Sequence, residues 1–227
     1  MCVSWLRSVN PNVCHDVRVI RSKVLTAVHG FPTRDEVPER KPILVNQVHG
    51  DRVVEAALAP TDADALWTST LGASVGIKTA DCVPLLLEDP VSQRVAAVHA
   101  GWRGAIAEIP LRALEALGSE AKNVRAAIGP HIRACCYAVG EDLAERFAKR
   151  FGPSVVTRRD GQVYLDLSKA VRAQLEEFGV SQIDDVEGLC TSCDRRFHSF
   201  RREKGAPGRQ VSYIVCEWPR GAGATSL

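Results

Sequence analysis

A chain of 227 residues, 45% hydrophobic and 25% charged, reads as an ordinary soluble globule of one large domain or two small ones, which excludes a disordered or fibrous protein. Its 29 basic and 27 acidic residues leave a formal net charge of +2, too balanced to suggest nucleic-acid binding. No run approaches the roughly 18 consecutive apolar residues of a membrane span, and the opening MCVSWLRSVNPNVCHDVRVIRSK lacks the apolar core of a signal peptide.

The expectation is a cytoplasmic protein with reduced thiols, so the eight cysteines must serve packing, metal binding or nucleophilic attack. The densest basic cluster, Arg195, Arg196, Arg201, Arg202 and Lys204, reads as a solvated face or a substrate-anion site.

In chain order, Val17 to Val28 is a β-branched, extended stretch. Ile43 to Val48 is a short strand candidate ending at His49-Gly50. Val75 to Ile77 and Val83 to Leu87 are strands flanking Thr79-Ala80-Asp81-Cys82. Val95 to Val98 is a strand running into His99-Ala-Gly-Trp-Arg-Gly, and a helix follows from about Ala105 to Leu117, with Gly118 to stop it. Val124 to Ile128 is the next strand. Helices are expected over Glu141 to Arg150 and Ser168 to Phe178, the second with Asp166 and Ser168 at its start and Gly179 past its end. Val211 to Cys216 is a late strand, and Gly221 to Leu227 reads as a frayed end. Such alternation predicts α/β layers around a sheet.

His49, Cys82 and His99 each fall at the end of a predicted strand, where ligand sites gather in α/β sheets. Two imidazoles and a thiolate suit zinc with one open position. Their separations match no local zinc motif, however, and for isolated residues a buried cysteine with two hydrogen-bonded histidines is the commoner reading. The His99 to Ala105 turn offers helix-end N–H groups and the Arg103 fork for a phosphate or carboxylate, against the alternative of a tight connection with an exposed arginine. Cys190-Thr-Ser-Cys193 lacks the second spaced pair of a zinc ribbon, since Cys135 and Cys136 are adjacent. A four-cysteine site is therefore weakly supported, and a structural turn is expected.

VNQVHG (45–50), KTADCVPLLLED (78–89), VAAVHAGWRGA (95–105), AIGPHIRACCYAVGEDL (127–143) and LCTSCDRRFHSFRRE (189–203), taken together, resemble the laccase-like multicopper polyphenol oxidase family. That family is also described as a purine nucleoside phosphorylase family, and includes peptidoglycan editing factors and laccase domain-containing proteins. The resemblance implies a single domain over 1–227 with a layered α/β/β/α sandwich related to bacterial toxin cysteine deamidases. It implies zinc held by His49, Cys82 and His99. It also implies phosphorolysis of purine nucleosides such as adenosine, inosine and methylthioadenosine, with adenosine deamination as a further activity. Two departures stand out. His29-Gly-Phe-Pro-Thr-Arg34 is followed by a shortened segment before KPILVNQVHG, which truncates a substrate-facing loop, and His131 and Arg133 are additions relative to the family's GPxIGPCCYEVG pattern.

The resulting expectation is a monomeric zinc enzyme acting on a nucleoside and phosphate. Asp81 is a candidate general base, although neighbours on a regular strand face opposite ways. Arg103 is expected to bind phosphate, and Arg34 and Arg201 to contact substrate. The rivals are an amidase acting on muropeptide precursors, a metal-free hydrolase with Cys82 as nucleophile and His99 as its activator, and a binding module without catalysis.

Overall fold

The computed structural model describes residues 19–58, 60–204 and 208–218. Strands β1 (His29–Gly30), β2 (Val53–Glu55), β3 (Ala65–Thr68), β4 (Ser74–Thr79), β5 (Val83–Asp89) and β6 (Arg94–Ala100) lead into helices α1 (Trp102–Ile106) and α2 (Ile109–Leu117). Then come β7 (Arg125–Ile128), β8 (Ala138–Val139), α3 (Glu141–Phe151), β9 (Val156–Arg159) and β10 (Gln162–Leu165). α4 (Leu167–Phe178), β11 (Gln182–Asp185), α5 (Phe200–Glu203) and β12 (Gln210–Val215) complete the order.

This is a mixed α/β fold with three sheets among the described residues. The largest has six strands in the order β11-β7-β5-β6-β3-β2, and two three-stranded sheets run β1-β12-β4 and β8-β10-β9. Every residue of β5 is buried, so VPLLLED carries a packed layer on each face. Strand alternation divides its side chains. Val83, Leu85 and Leu87 join Ala96 and Val98 of β6 against Ile109 and Leu114 of α2 and Val171 of α4. Leu86, with Val95 and Ala97, faces the other way, onto Val75 and Ile77 of β4 and Ile214 of β12. Each buried Val, Leu or Ile of these layers contributes roughly 1.5–3 kcal/mol relative to an exposed one.

Among the described residues the layers therefore run helix, sheet, sheet. The outer helical layer implied by the resemblance is not found there; Pro42, in a loop, lies so close to Gly76 of β4 that a Cβ on that glycine would sit 2.9 Å from it.

Several expected elements differ. The described part of Val17–Val28 forms only an isolated bridge, Ile20 to Phe31, because carboxylates satisfy its backbone: the buried Glu88 accepts the N–H of Thr26 and Ala27, and the partly exposed Asp184 that of Lys23. Ile43 to Val48 also forms only isolated bridges. There the Gln47 side chain takes a strand's place, exchanging two 2.8 Å hydrogen bonds with the backbone of Lys78. The helix expected from Ala105 to Leu117 is two helices. Pro110 cannot donate within a continuous helix, and Glu108 adopts φ +66 at the break. α4 carries the expected cap, Asp166 accepting from Lys169 N at 3.1 Å, and ends at Gly179 with φ +100. Gly221 to Leu227 lies outside the described residues.

Candidate metal centre

Three connections bring His49, Cys82 and His99 together. His49 lies in the loop before β2, Cys82 immediately precedes β5, and His99 pairs with Pro84 near the end of β6. One ligand atom from each falls within 4.8 Å of the other two. The two imidazole rings meet edge to face, 4.9 Å between centroids.

Asp64 organises the group. Its buried carboxylate accepts His99 Nδ1–H at 2.7 Å, which fixes the tautomer and leaves Nε2 for the cluster. It also accepts backbone N–H groups from Val48 (3.2 Å), His49 (2.9 Å) and Gly50 (2.7 Å), closing the loop that presents His49. These bonds hold His49 at φ +62. Two glycines of HAGWRG permit the close approach. A Cβ on Gly101 would lie 3.1 Å from Cys82 Sγ, and one on Gly104 would lie 2.8 Å from Gly50 O.

The electrostatics favour a cation. Burial works against charge on Cys82, yet hydrogen bonds and positive charge from His49 and His99 pull its pKa down to about 7. Burial likewise opposes charge on His99, but Asp64 and Cys82 push it up to about 9. A thiolate, two imidazoles and a carboxylate-oriented ring are a donor set that fits a divalent metal.

The trio lines a cleft of about 690 Å3. Trp102, Tyr137 and Phe200 supply aromatic walls, and Lys78, Arg103, Arg201 and Arg209 supply positive charge. Asp81 and Cys82 both reach the cleft because they lie in a turn between strands, Asp81 at φ +86, and strand alternation does not apply. Asp81 is held at both oxygens, by Thr191 Oγ1 at 2.6 Å and by Arg201 N–H at 2.7 Å. Arg103 lies over Trp102, 4.7 Å from the ring centroid. The helix behind it, α1, is one short turn, so the positive charge there belongs to the side chain far more than to a helix dipole.

Arg201 lines the cleft with its guanidinium tied to Cys136 O and Ala138 O. Arg34 does not line it and meets Glu203 at 3.5 Å. His131 is fully buried, its Nδ1 on Gly129 O, and Arg133 forks onto Asp185. Both additions within the GPHIRACC segment are thus structural. The basic cluster is largely exposed, but two of its members serve the protein itself: Arg202 caps the carbonyls of Thr191, Ser192 and Asp194, and Arg196 pairs with Asp194.

Sequence reasoning missed Asp64, Lys78, Tyr137, Phe200 and Arg209. Lys78, Tyr137 and Phe200 sit inside quoted motifs, so membership of those motifs was an available signal. Asp64, inside TDADALW, carries no pattern of its own.

A family model described as multi-copper polyphenol oxidoreductase laccase matches residues 12–217. The chain belongs to this laccase-like family. Within it, a Deinococcus radiodurans protein named purine nucleoside phosphorylase is 42% identical over 186 residues, covering 80% of this chain and 72% of that protein. The crystal structure of a Bacillus licheniformis hypothetical protein, YfiH, superposes with a TM-score of 0.71 at 30% identity, over 77% of this chain and 74% of that one. A Neisseria meningitidis protein does so with a TM-score of 0.72 at 33% identity, with the same coverages. The laccase-like fold here contains, among the described residues, no helix long and apolar enough to cross a membrane.

Proposed function

We propose that this protein is a zinc-dependent purine nucleoside phosphorylase of the cytoplasm, built as a single domain, with adenosine deamination as a second activity of the same cleft. The observation that carries the reading is the His49–Cys82–His99 trio at the wall of a cleft that also holds aromatic faces and cations. The name of the Deinococcus radiodurans relative supports the substrate class. Zinc fits better than a set of coppers. The trio contains two histidines, the other group of metal-capable side chains among the described residues is all cysteine, and the only methionine is Met1.

When bound, the ion supplies Lewis-acid activation of an oxygen at the open coordination position. The chain's own residues do the rest. The cleft volume suits a nucleoside, and Trp102, Tyr137 and Phe200 offer faces for the purine. Arg103 binds phosphate, with Lys78 as a further cation of the cleft. In phosphorolysis a phosphate oxygen bonds to the anomeric carbon, the carbon–nitrogen bond breaks, and the purine leaves with the electron pair and takes up a proton. Asp64 keeps His99 oriented throughout, and Asp81, already engaged at both oxygens, shapes the turn that presents Cys82.

A second reading has specific support. Cys82, His99 and Asp64 form a chain of thiol, imidazole and carboxylate, the arrangement of a metal-free nucleophilic hydrolase. Metal analysis with product identification separates the two. Zinc-loaded protein should release adenine from adenosine only with phosphate, and inosine without it. Arg103→Ala should raise the KM for phosphate about tenfold or more and spare deamination. If zinc-loaded protein releases neither product, the phosphorylase reading fails. If metal-free protein keeps full activity and loses it to thiol alkylation, the thiol reading replaces it.

A further inference from the structure

We infer that Cys135, Cys136, Cys190 and Cys193 form a second metal site, separate from the trio, which takes one zinc ion as a tetrathiolate. The sequence alone argues against it, because one pair is adjacent and the other is a CxxC. The fold removes the objection. His131 and Cys190 pair in a parallel bridge, and Thr191 N–H donates to His131 O at 3.0 Å, so the two cysteine loops lie side by side. Cys136 N–H donates to Arg133 O at 2.9 Å, and Cys193 N–H to Cys190 O at 3.2 Å. Each loop thereby turns its two thiols toward the other.

The distances suit a metal. All four sulfurs lie within 4.8 Å of one another. Cys193 Sγ is 3.6 Å from Cys135 Sγ and 3.2 Å from Cys136 Sγ. Zinc–sulfur bonds of about 2.3 Å arranged tetrahedrally place sulfurs about 3.8 Å apart, inside this spread. A disulfide needs about 2.05 Å between two sulfurs, and Cys193 has two near neighbours instead of one partner.

Packing does not explain the cluster, since Cys135 and Cys193 are exposed. The surroundings prepare the loops for a ligand. Arg133 N–H points at Cys190 Sγ, 3.4 Å away, the kind of donor that steadies a thiolate. Arg159 donates to Cys135 O and Arg201 to Cys136 O, which fixes the backbone of the adjacent pair. An ion there joins the loop that carries Tyr137, a cleft wall, to the loop that carries Thr191, the anchor of Asp81.

The test uses the full chain and cobalt(II) as probe. In a Cys82→Ala, His99→Ala protein, cobalt titration should saturate at one equivalent, with an intense sulfur-to-metal charge-transfer band that stoichiometric zinc removes. Adding Cys190→Ser and Cys193→Ser should abolish the band. Because that combination can unfold the chain, the exposed Cys135→Ser change is tested alone, with its fold checked by circular dichroism. It should lower the band by about a quarter and weaken cobalt binding at least about tenfold. Wild-type protein should carry two zinc ions by elemental analysis. A disulfide among the four in protein purified without oxygen, or absence of the cobalt band in the folded trio-deficient variant, would overturn the assignment.

Discussion

Replacing Asp64 with asparagine preserves shape and removes a charge, and the structure allows its effect to be worked out bond by bond. Oδ1 accepts from His99 Nδ1 at 2.7 Å and from His49 N at 2.9 Å; Oδ2 accepts from Gly50 N at 2.7 Å and from Val48 N at 3.2 Å. Asparagine offers one accepting oxygen and one donating NH2. With the oxygen in the Oδ1 place, His99 keeps its partner, while two backbone donors face an amide donor. Orphaning them costs about 2–6 kcal/mol at roughly 1–3 per group. With the oxygen in the Oδ2 place, His49 N–H is orphaned and His99 Nδ1 must accept. The proton then moves to Nε2, the nitrogen the cluster uses, and metal affinity should fall about 10–100-fold, or about 1.4–2.7 kcal/mol. Either orientation leaves a signature. Thermal melts in chelator should drop by at least about 4 °C in the first case, and zinc competition against a chromophoric chelator should show the loss in the second. An Asp64→Asn protein that matches wild type in both would refute the assignment of Asp64 as the group that orients His99.

Two further outcomes are expected. Gly101→Ala puts a Cβ 3.1 Å from Cys82 Sγ and 3.6 Å from His49 Cδ2, so chelator competition should show metal affinity reduced about tenfold with little change in melting temperature; unchanged affinity would mean the glycine is not needed for close approach to the ligands. His29 is buried and satisfied as a neutral ring, accepting from Ser22 N at 2.8 Å and donating to Ala27 O at 2.7 Å, and burial lowers its pKa from 6.5. The unfolded chain therefore takes up a proton that the folded chain refuses, so this contribution is intact above pH 6.5 and declines as pH falls below it, by at most about 1.4 kcal/mol per pH unit. Urea unfolding at a series of pH values should give a shallower acid slope for His29→Gln than for wild type, and parallel slopes would remove His29 from acid sensitivity.

The legible parts of the chain were those whose burial follows from local periodicity. β5 reads directly from its apolar run because both of its faces are covered, and α4 from the Asp166 cap and Gly179. The β9–β10 hairpin was missed in the sequence although its signal is there: Asp160 and Gly161 both adopt positive φ at its tip, and an Asp-Gly pair between β-rich segments is a strong hairpin signal. Other elements were hidden because distant side chains decide them. Glu88, 62 residues from Thr26, satisfies the N-terminal segment, and Gln47 substitutes for a strand partner against Lys78. The site divides the same way. His49, Cys82 and His99 stand at recognisable strand ends, whereas Asp64 is an ordinary loop carboxylate until the fold places it under His99.

That division has a mechanical consequence. Asp81 directly precedes the ligand Cys82, and its backbone sits at φ +86, a conformation that costs a non-glycine residue of order 1–3 kcal/mol unless neighbours enforce it. The enforcing groups are Thr191 Oγ1 and Arg201 N–H, 110 and 120 residues away in sequence. Thr191 follows Cys190, and Arg201 also grips the carbonyl of Cys136. The turn presenting Cys82 is thus held by Thr191, beside Cys190, and by Arg201 of α5, which also reaches the loop of Cys136. Ile132 N–H also donates to Asp81 O at 3.0 Å, but both carboxylate oxygens of Asp81 depend on the 189–203 segment. The strain at Asp81 and the cysteine cluster belong to one device, in which the late part of the chain completes a site whose ligands all lie in the early part.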